Sequence, residues 1–251
     1  MTASNFNLSD YLSRIAYVGE VRPDIATLTR LMQQQLWSIP FENTEVQAGR
    51  IPSMVPEDIV EKVINRRRGG YCYEVNGVFA MALTAIGFEW YFAGARSMLY
   101  PTRRPKTHMV LIVRIDGRDY LCDCGFGGYA LRSPMEIGVG EAVQDGDRYR
   151  LERIDGEYVL GALVQGEWQR LYGFALQNQE WIEFTLANYF NATSPDTVFT
   201  QKRLAIMQTP NGRKILVDNE LKLIEDGKLE KLEVDYETAL KEYFGLVPFT
   251  K

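Results

Sequence analysis

The chain carries one histidine and three cysteines in 251 residues, and no apolar run approaches the roughly 20 residues that span a bilayer. Cys72, Cys122 and Cys124 are odd in number in a chain large enough to fold without staples, which argues against a disulfide framework and for an unpaired, reactive thiol. No C-x-x-C pair and no second histidine are present, so a structural zinc site lacks its ligands and no metal is expected. Basic residues are dispersed and the net charge is −5, so no broad nucleic-acid-binding face is expected. Arg66, Arg67 and Arg68 form the one tight basic run, and it reads as a solvated loop. The first residues resemble neither an apolar nor a basic leader, and a soluble cytoplasmic protein without membrane partners is expected. Internal repeats, low-complexity linkers and a Gly-rich phosphate-binding fingerprint are also missing.

What is present is ordinary globular composition, 46% hydrophobic and 24% charged. A chain of this length buries roughly 70–75% of its unfolded surface. The first part reads as helical: Leu8, Tyr11, Leu12 and Ile15 follow one helical face, and Ile25, Leu28, Leu31, Met32 and Leu36 another, with Pro40 as a stop. A third helix is expected from Pro56 to just before Gly69, and a fourth from Cys72 to Ile86 with Gly87 as its terminator. From Glu89 the period changes to two. Strands are expected over 89–96, 108–115, 119–124, 147–154, 157–164 and 167–174, with hairpin turns at Asp116–Gly117 and Asp155–Gly156. This middle part reads as an antiparallel barrel or sandwich. A short helix near 180–190, further strands with turns at Asn211–Gly212 and Asp226–Gly227, and a last helix from Tyr236 to Phe244 complete the chain.

Cys72 follows Gly69 and Gly70 and sits in the first turn of a helix, where unpaired N–H groups and the macrodipole favour a thiolate. An isolated cysteine at such a place is more readily a small packing residue. His108 gains weight from the hairpin. A two-residue turn at Asp116–Gly117 sets Ile115 opposite Arg118 and, by extension, Val110 opposite Asp123. Alternation then puts His108 on the same face as Asp123 and diagonal to it, within reach of an imidazole–carboxylate hydrogen bond. Asp123 lies in the apolar segment YLCDCGFG, where a buried carboxylate requires a partner, either His108 or an arginine. Cys122 and Cys124 fall on the opposite face and read as core. Thiol, imidazole and carboxylate are the parts of a nucleophilic acyl-transfer site, with Cys72 as nucleophile, His108 as base and Asp123 as its orienting group.

The segments RGGYCYEVNG (Arg68–Gly77), THM (Thr107–Met109) and DCGFG (Asp123–Gly127) resemble, in order, the active-site motifs of arylamine N-acetyltransferases, and IPFEN (Ile39–Asn43) resembles that family's N-terminal signature. The resemblance implies an α+β fold: a helical bundle over 1–87, a central antiparallel β-barrel over 88–190 and an α/β lid over 191–251, on a papain/transglutaminase-like catalytic core. It also implies a ping-pong transfer from acetyl-CoA through Cys72 to an arylamine, hydrazine or arylhydroxylamine. Phe126 matches a position lining the acceptor pocket, and Phe199 a second, more loosely aligned one. Glu42 and Arg68 are expected to form an ion pair beneath the loop before Cys72. The chain departs from the family's pattern at Gln35, where histidine is common, at Thr44, where leucine is common, and at Cys124. Rival readings are a cysteine hydrolase or amide synthase using the same triad, and a binding protein with an inactivated site. Retention of all three triad residues argues against the latter.

Overall fold

The computed structural model describes residues 1–138 and 140–249, so the last two residues of the expected third region lie outside it. Helix α1 (Leu8–Arg14) begins where the Asn7 side chain accepts the Ser9 amide at 2.8 Å. Helix α2 (Ile25–Ser38) begins at Asp24, which accepts the Thr27 amide at 2.8 Å, and ends just before Ile39–Pro40, where proline disfavours helical geometry. Strand β1 (Phe41–Glu42) and helix α3 (Thr44–Gln47) follow, and neither was visible in the periodicity. Helix α4 (Pro56–Val60) widens into a π-helical turn over Glu61–Asn65, where one continuous α-helix was expected. There the Arg66 amide reaches back five residues to the Glu61 carbonyl at 2.9 Å, and the buried Arg14 donates its Nε to the Val63 carbonyl at 3.0 Å. Helix α5 (Cys72–Ile86) is buried from Cys72 through Leu83, and Gly87 ends it in the left-handed region at φ 94°.

Strands β2 (Glu89–Ser97), β3 (His108–Ile115), β4 (Arg118–Cys122), β5 (Met135–Glu136), β6 (Glu141–Gln144), β7 (Asp147–Ile154), β8 (Glu157–Val164) and β9 (Glu167–Phe174) form one antiparallel, barrel-like sheet. Their spatial order is β5-β4-β3-β2-β9-β8-β7-β6. Asp116 and Gly117, like Asp155 and Gly156, have positive φ, as a two-residue type I′ turn demands. The register follows: Ile115 pairs with Arg118, Ile112 with Leu121 and Leu111 with Cys122. Strand β4 stops before Asp123, earlier than the expected 124, because side chains take over the next two amides. Asn76 Oδ1 accepts the Cys124 N–H and Asp123 Oδ1 the Gly125 N–H, each at 2.8 Å.

A 3₁₀ turn (Trp181–Glu183), helix α6 (Phe184–Thr193) and helix α7 (Val198–Gln201) lead to strands β10 (Leu204–Thr209), β11 (Gly212–Val217), β12 (Glu220–Glu225) and β13 (Lys228–Glu233), then helix α8 (Tyr236–Phe244). The second sheet has the order β1-β10-β11-β12-β13. Its turn between β10 and β11 is made by Pro210 and Asn211, not by Asn211–Gly212, since Thr209 pairs with Gly212. Gly212 serves close approach instead: a Cβ there would sit 1.8 Å from the Ile224 carbonyl oxygen. Leu240 and Phe244 of α8 pack on Ala205, Leu216 and Leu221 of this sheet in a core of their own. Among the described residues no helix is long and apolar enough to cross a membrane.

Arg132, 1% exposed, ties the two sheets together. It donates to Gln208 Oε1 and the Gly212 carbonyl at 3.0 Å each, and to the carbonyls of Thr209 and Pro210. Its Nε meets Asp145 at 3.2 Å. Replacing Arg132 by alanine strands several buried acceptors, each worth about 1–3 kcal/mol. Urea unfolding of Arg132→Ala is expected to show a loss of at least about 3 kcal/mol, and an unchanged midpoint would deny this residue its bracing role.

Candidate active site

The site forms where the start of α5, the start of β3 and the end of β4 meet. Cys72 is the first residue of α5, and the turn before it is fixed by close backbone approach. A Cβ on Gly69 would lie 2.1 Å from the Pro40 carbonyl oxygen, and one on Gly70 2.7 Å from Glu74 Cβ. The Glu42 amide donates to the Gly70 carbonyl at 3.0 Å and the Gly70 amide to Pro40 at 3.3 Å, so the IPFEN segment is laced to the loop that delivers Cys72. Because β1 also pairs with Ala205 and Ile206, the same segment joins that loop to the C-terminal sheet.

His108 opens β3, and its Nε2 lies 2.7 Å from Asp123 Oδ2. Asp123 is fully buried and His108 is 6% exposed. Burial works against a charged imidazole, but the Asp123 carboxylate outweighs it and, with Cys72 adding in the same sense, pushes the His108 pKa up to about 10. With Nε2 committed to Asp123, Nδ1 is the ring nitrogen left for Cys72, which is close enough to share a polar interaction with the ring. The other carboxylate oxygen of Asp123 accepts the Gly125 amide at 2.8 Å and Asn76 Nδ2 at 3.1 Å. Asp123 thus has three donors.

Asn76 went unnoticed in the sequence, although its spacing was available: four residues after Cys72, it shares that residue's helix face. Its amide also donates to the Met109 carbonyl at 2.7 Å, so one side chain joins α5 to both β3 and the loop after β4. Gly125 permits the contact, because a Cβ there would fall 2.6 Å from Cys72 Cα. Cys122 and Cys124 are buried, and burial followed by the charge of Asp123 pushes both thiols well above their ordinary value.

Phe126, half-buried, has its ring centroid 5.2 Å from that of His108 and 4.8 Å from that of Tyr172. Phe199, also half-buried, packs edge-on against Tyr71 at 5.4 Å and lies 6.1 Å from Phe41. The expected Glu42–Arg68 ion pair is present, at a long 4.0 Å from Glu42 Oε1. Glu42 Oε2 accepts the amide and hydroxyl of Thr44 at 2.6 Å each, so the departure at Thr44 satisfies one oxygen of a buried carboxylate. The tight buried ion pair beneath the loop is Lys62 Nζ with Glu74 at 2.5 Å, shared with Glu45. Burial holds the Glu74 carboxyl up at about 7 against the pull of Lys62. Gln35, the other departure, accepts from Tyr11 Oη at 2.7 Å and donates to the Val75 carbonyl at 2.8 Å, tying α1 and α2 to α5.

A thiol at a helix start beside an imidazole locked to a buried carboxylate, on a mixed helix-and-sheet fold with a barrel-like sheet, places the chain in the papain-like class of cysteine folds. The comparisons narrow the class. An N-acetyltransferase family model matches residues 24–248. The arylamine N-acetyltransferase of Mycolicibacterium smegmatis is 34% identical over 237 residues, covering 91% of this chain and 86% of the relative. Human arylamine N-acetyltransferase 1 is 32% identical over 234 residues, covering 84% and 81%. The solved Mycobacterium marinum arylamine N-acetyltransferase in complex with CoA superposes with a TM-score of 0.89 at 29% identity, over 95% of this chain and 92% of that one. The Salmonella typhimurium enzyme superposes with a TM-score of 0.91 at 27% identity, over 98% and 92%. The chain belongs to the arylamine N-acetyltransferase family of acyltransferases.

The raised pKa of His108 has a consequence for stability. The folded state holds this proton above the unfolded value of about 6.5, so the contribution is complete below that pH and is lost as pH rises toward about 10. The stability difference between wild type and His108→Gln, from urea unfolding, should therefore shrink across this window, by at most about 1.4 kcal/mol per pH unit. A difference independent of pH would contradict a charged His108.

Proposed function

We propose that the chain is an acetyl-CoA-dependent N-acetyltransferase that works by a ping-pong mechanism through an acetyl-Cys72 intermediate. The observation that carries this reading is the 2.7 Å contact of His108 Nε2 with the buried Asp123, which leaves the ring's other nitrogen for Cys72. In the first half-reaction the Cys72 thiolate, its proton held on His108, attacks the acetyl carbonyl. The tetrahedral intermediate collapses with cleavage of the C–S bond to CoA, and His108 returns the proton to the departing CoA thiolate. In the second, an aromatic amine, hydrazine or hydroxylamine nitrogen attacks the thioester, His108 accepts the nitrogen's proton, and Cys72 leaves as thiolate. Asp123 holds the imidazole in orientation and stabilises its charged form throughout. No step calls for a metal.

In this reading residues 1–87 supply the nucleophile, 88–190 the base and its carboxylate, and 191–251 contribute Phe199. Phe126, packed on the imidazole, and Phe199, packed on Tyr71 beside the nucleophile, line the approach of the aromatic acceptor. The flat faces of these rings suit an arylamine. The family membership of the chain and the CoA complex of the M. marinum relative support CoA as the acyl carrier.

Intact mass after incubation with acetyl-CoA alone should show one acetyl group, absent in Cys72→Ala and retained when Cys122 or Cys124 is replaced. Adding an aromatic amine should discharge it with steady release of free CoA. No adduct and no turnover on any short acyl-CoA would reject the proposal, and discharge to water at the same rate without amine would favour the hydrolase reading. Asp123→Asn should lower iodoacetamide alkylation of Cys72 near neutral pH, by about tenfold or more, because the imidazole loses its charged partner. An unchanged rate would mean that Asp123 does not support the base.

A further inference from the structure

We propose that Asn191 and Tyr73 form a positioning clamp that sets the reach between the Cys72 thiol and the His108 imidazole. The proposal rests on the triad reading above. Cys72 and His108 belong to different elements, and the sheet by itself does not fix their separation. His108 is the first residue of β3, and its pairing with Ala95 is the last rung of the β2–β3 ladder. Thr107 lies outside that ladder, so its carbonyl has no strand partner. It receives two side-chain donors instead: Tyr73 Oη at 2.7 Å and Asn191 Nδ2 at 2.9 Å.

The two donors also hold each other. Asn191 Nδ2 lies 3.3 Å from Tyr73 Oη, so the phenol accepts from Asn191 while it donates to Thr107. Burial, with the neighbouring Cys72 and Tyr71, keeps the phenol well above its ordinary pKa and therefore a donor. Tyr73 follows Cys72 in α5, and Thr107 precedes His108, so the junction bolts the neighbours of nucleophile and base together. The third member comes from α6. Asn191 is 3% exposed, and its carbonyl accepts Thr197 Oγ1 at 2.9 Å. The seating of α6 thereby bears on the geometry of that pair. Loosening the junction leaves His108 attached to Asp123, so the slack appears between Nδ1 and the Cys72 sulfur.

Asn188 provides a control within the same helix. It is as buried as Asn191 and one turn earlier, but it bonds Tyr71 Oη and the Pro52 carbonyl rather than Thr107. The test measures the pH dependence of iodoacetamide alkylation at Cys72, together with kcat and the KM for an aromatic amine. Wild type, Asn191→Ala, Tyr73→Phe and Asn188→Ala are compared. Asn191→Ala and Tyr73→Phe should alkylate about tenfold more slowly at neutral pH and lose kcat with little change in KM. Their alkylation midpoints should rise by roughly one pH unit. Asn188→Ala should lower thermal stability and leave the alkylation midpoint in place. Tyr73→Phe removes a single oxygen, but that oxygen also meets the Cys72 thiol. A slower Tyr73→Phe therefore supports the clamp only when Asn191→Ala, or the smaller change Asn191→Ser if alanine fails to fold, moves the profile in the same sense. A wild-type profile in Tyr73→Phe, or an equal displacement in Asn188→Ala, would overturn the clamp while leaving the triad intact. A wild-type Cys72 that alkylates with an ordinary thiol profile would overturn the triad reading itself, and the clamp with it.

Discussion

The architecture around the site depends on one buried charge. Asp123 is fully buried, and a carboxylate removed from water is tolerated only when its oxygens are met by donors. The donors come from three directions: His108 along the sheet, Asn76 from helix α5, and the Gly125 amide from its own loop. Each donor fixes a further feature. His108 is held in its charged form. Asn76 brings α5 against β3 and β4, and it sits on the same helical face as Cys72. The Gly125 amide turns the chain out of the ladder and presents Phe126 to the imidazole. Cys72, His108 and Phe126, the proposed nucleophile, base and acceptor-facing aromatic, are therefore held around a single carboxylate.

The rest of the chain keeps that arrangement from relaxing. The IPFEN segment bonds to Gly70 on one side and pairs with β10 on the other, so the turn before Cys72 is anchored to the C-terminal sheet. Lys62 neutralises Glu74 within the first turn of α5, and Glu74 in turn caps the helix through the Tyr71 amide at 3.1 Å. Arg132 joins the loop after Phe126 to β10 and β11 through hydrogen bonds that alanine would leave unmade. Arg213 donates to the Gly128 carbonyl at 2.8 Å in the same region. These contacts cross between segments distant in sequence, so the site is a property of the whole assembled chain.

Much of this was legible before the structure. Asp116–Gly117 specified a two-residue turn, the turn specified the register, and the register brought His108 to Asp123. Residues 72 to 86 were legible because glycines bracket an apolar helical run. What was hidden shares a physical trait. Strand β1 is two residues long and exists because β10 lies beside it, so no local alternation marks it. At Asn211–Gly212 the dipeptide pointed to a turn, yet the demand on Gly212 came from the neighbouring strand β12. Arg68 meets Glu42 as expected, at 4.0 Å, but the Thr44 hydroxyl that it also reaches, at 3.0 Å, was not legible.

Asp123 keeps the His108 imidazole charged at neutral pH. Because His108 is the only histidine in the chain, its imidazole can be followed by NMR titration without assignment ambiguity. In the wild type the ring should stay protonated through neutral pH and titrate well above the ordinary value of about 6.5. In Asp123→Asn that titration should fall to or below the ordinary value. A wild-type imidazole that loses its proton near about 6.5, unaffected by Asp123→Asn, would contradict it.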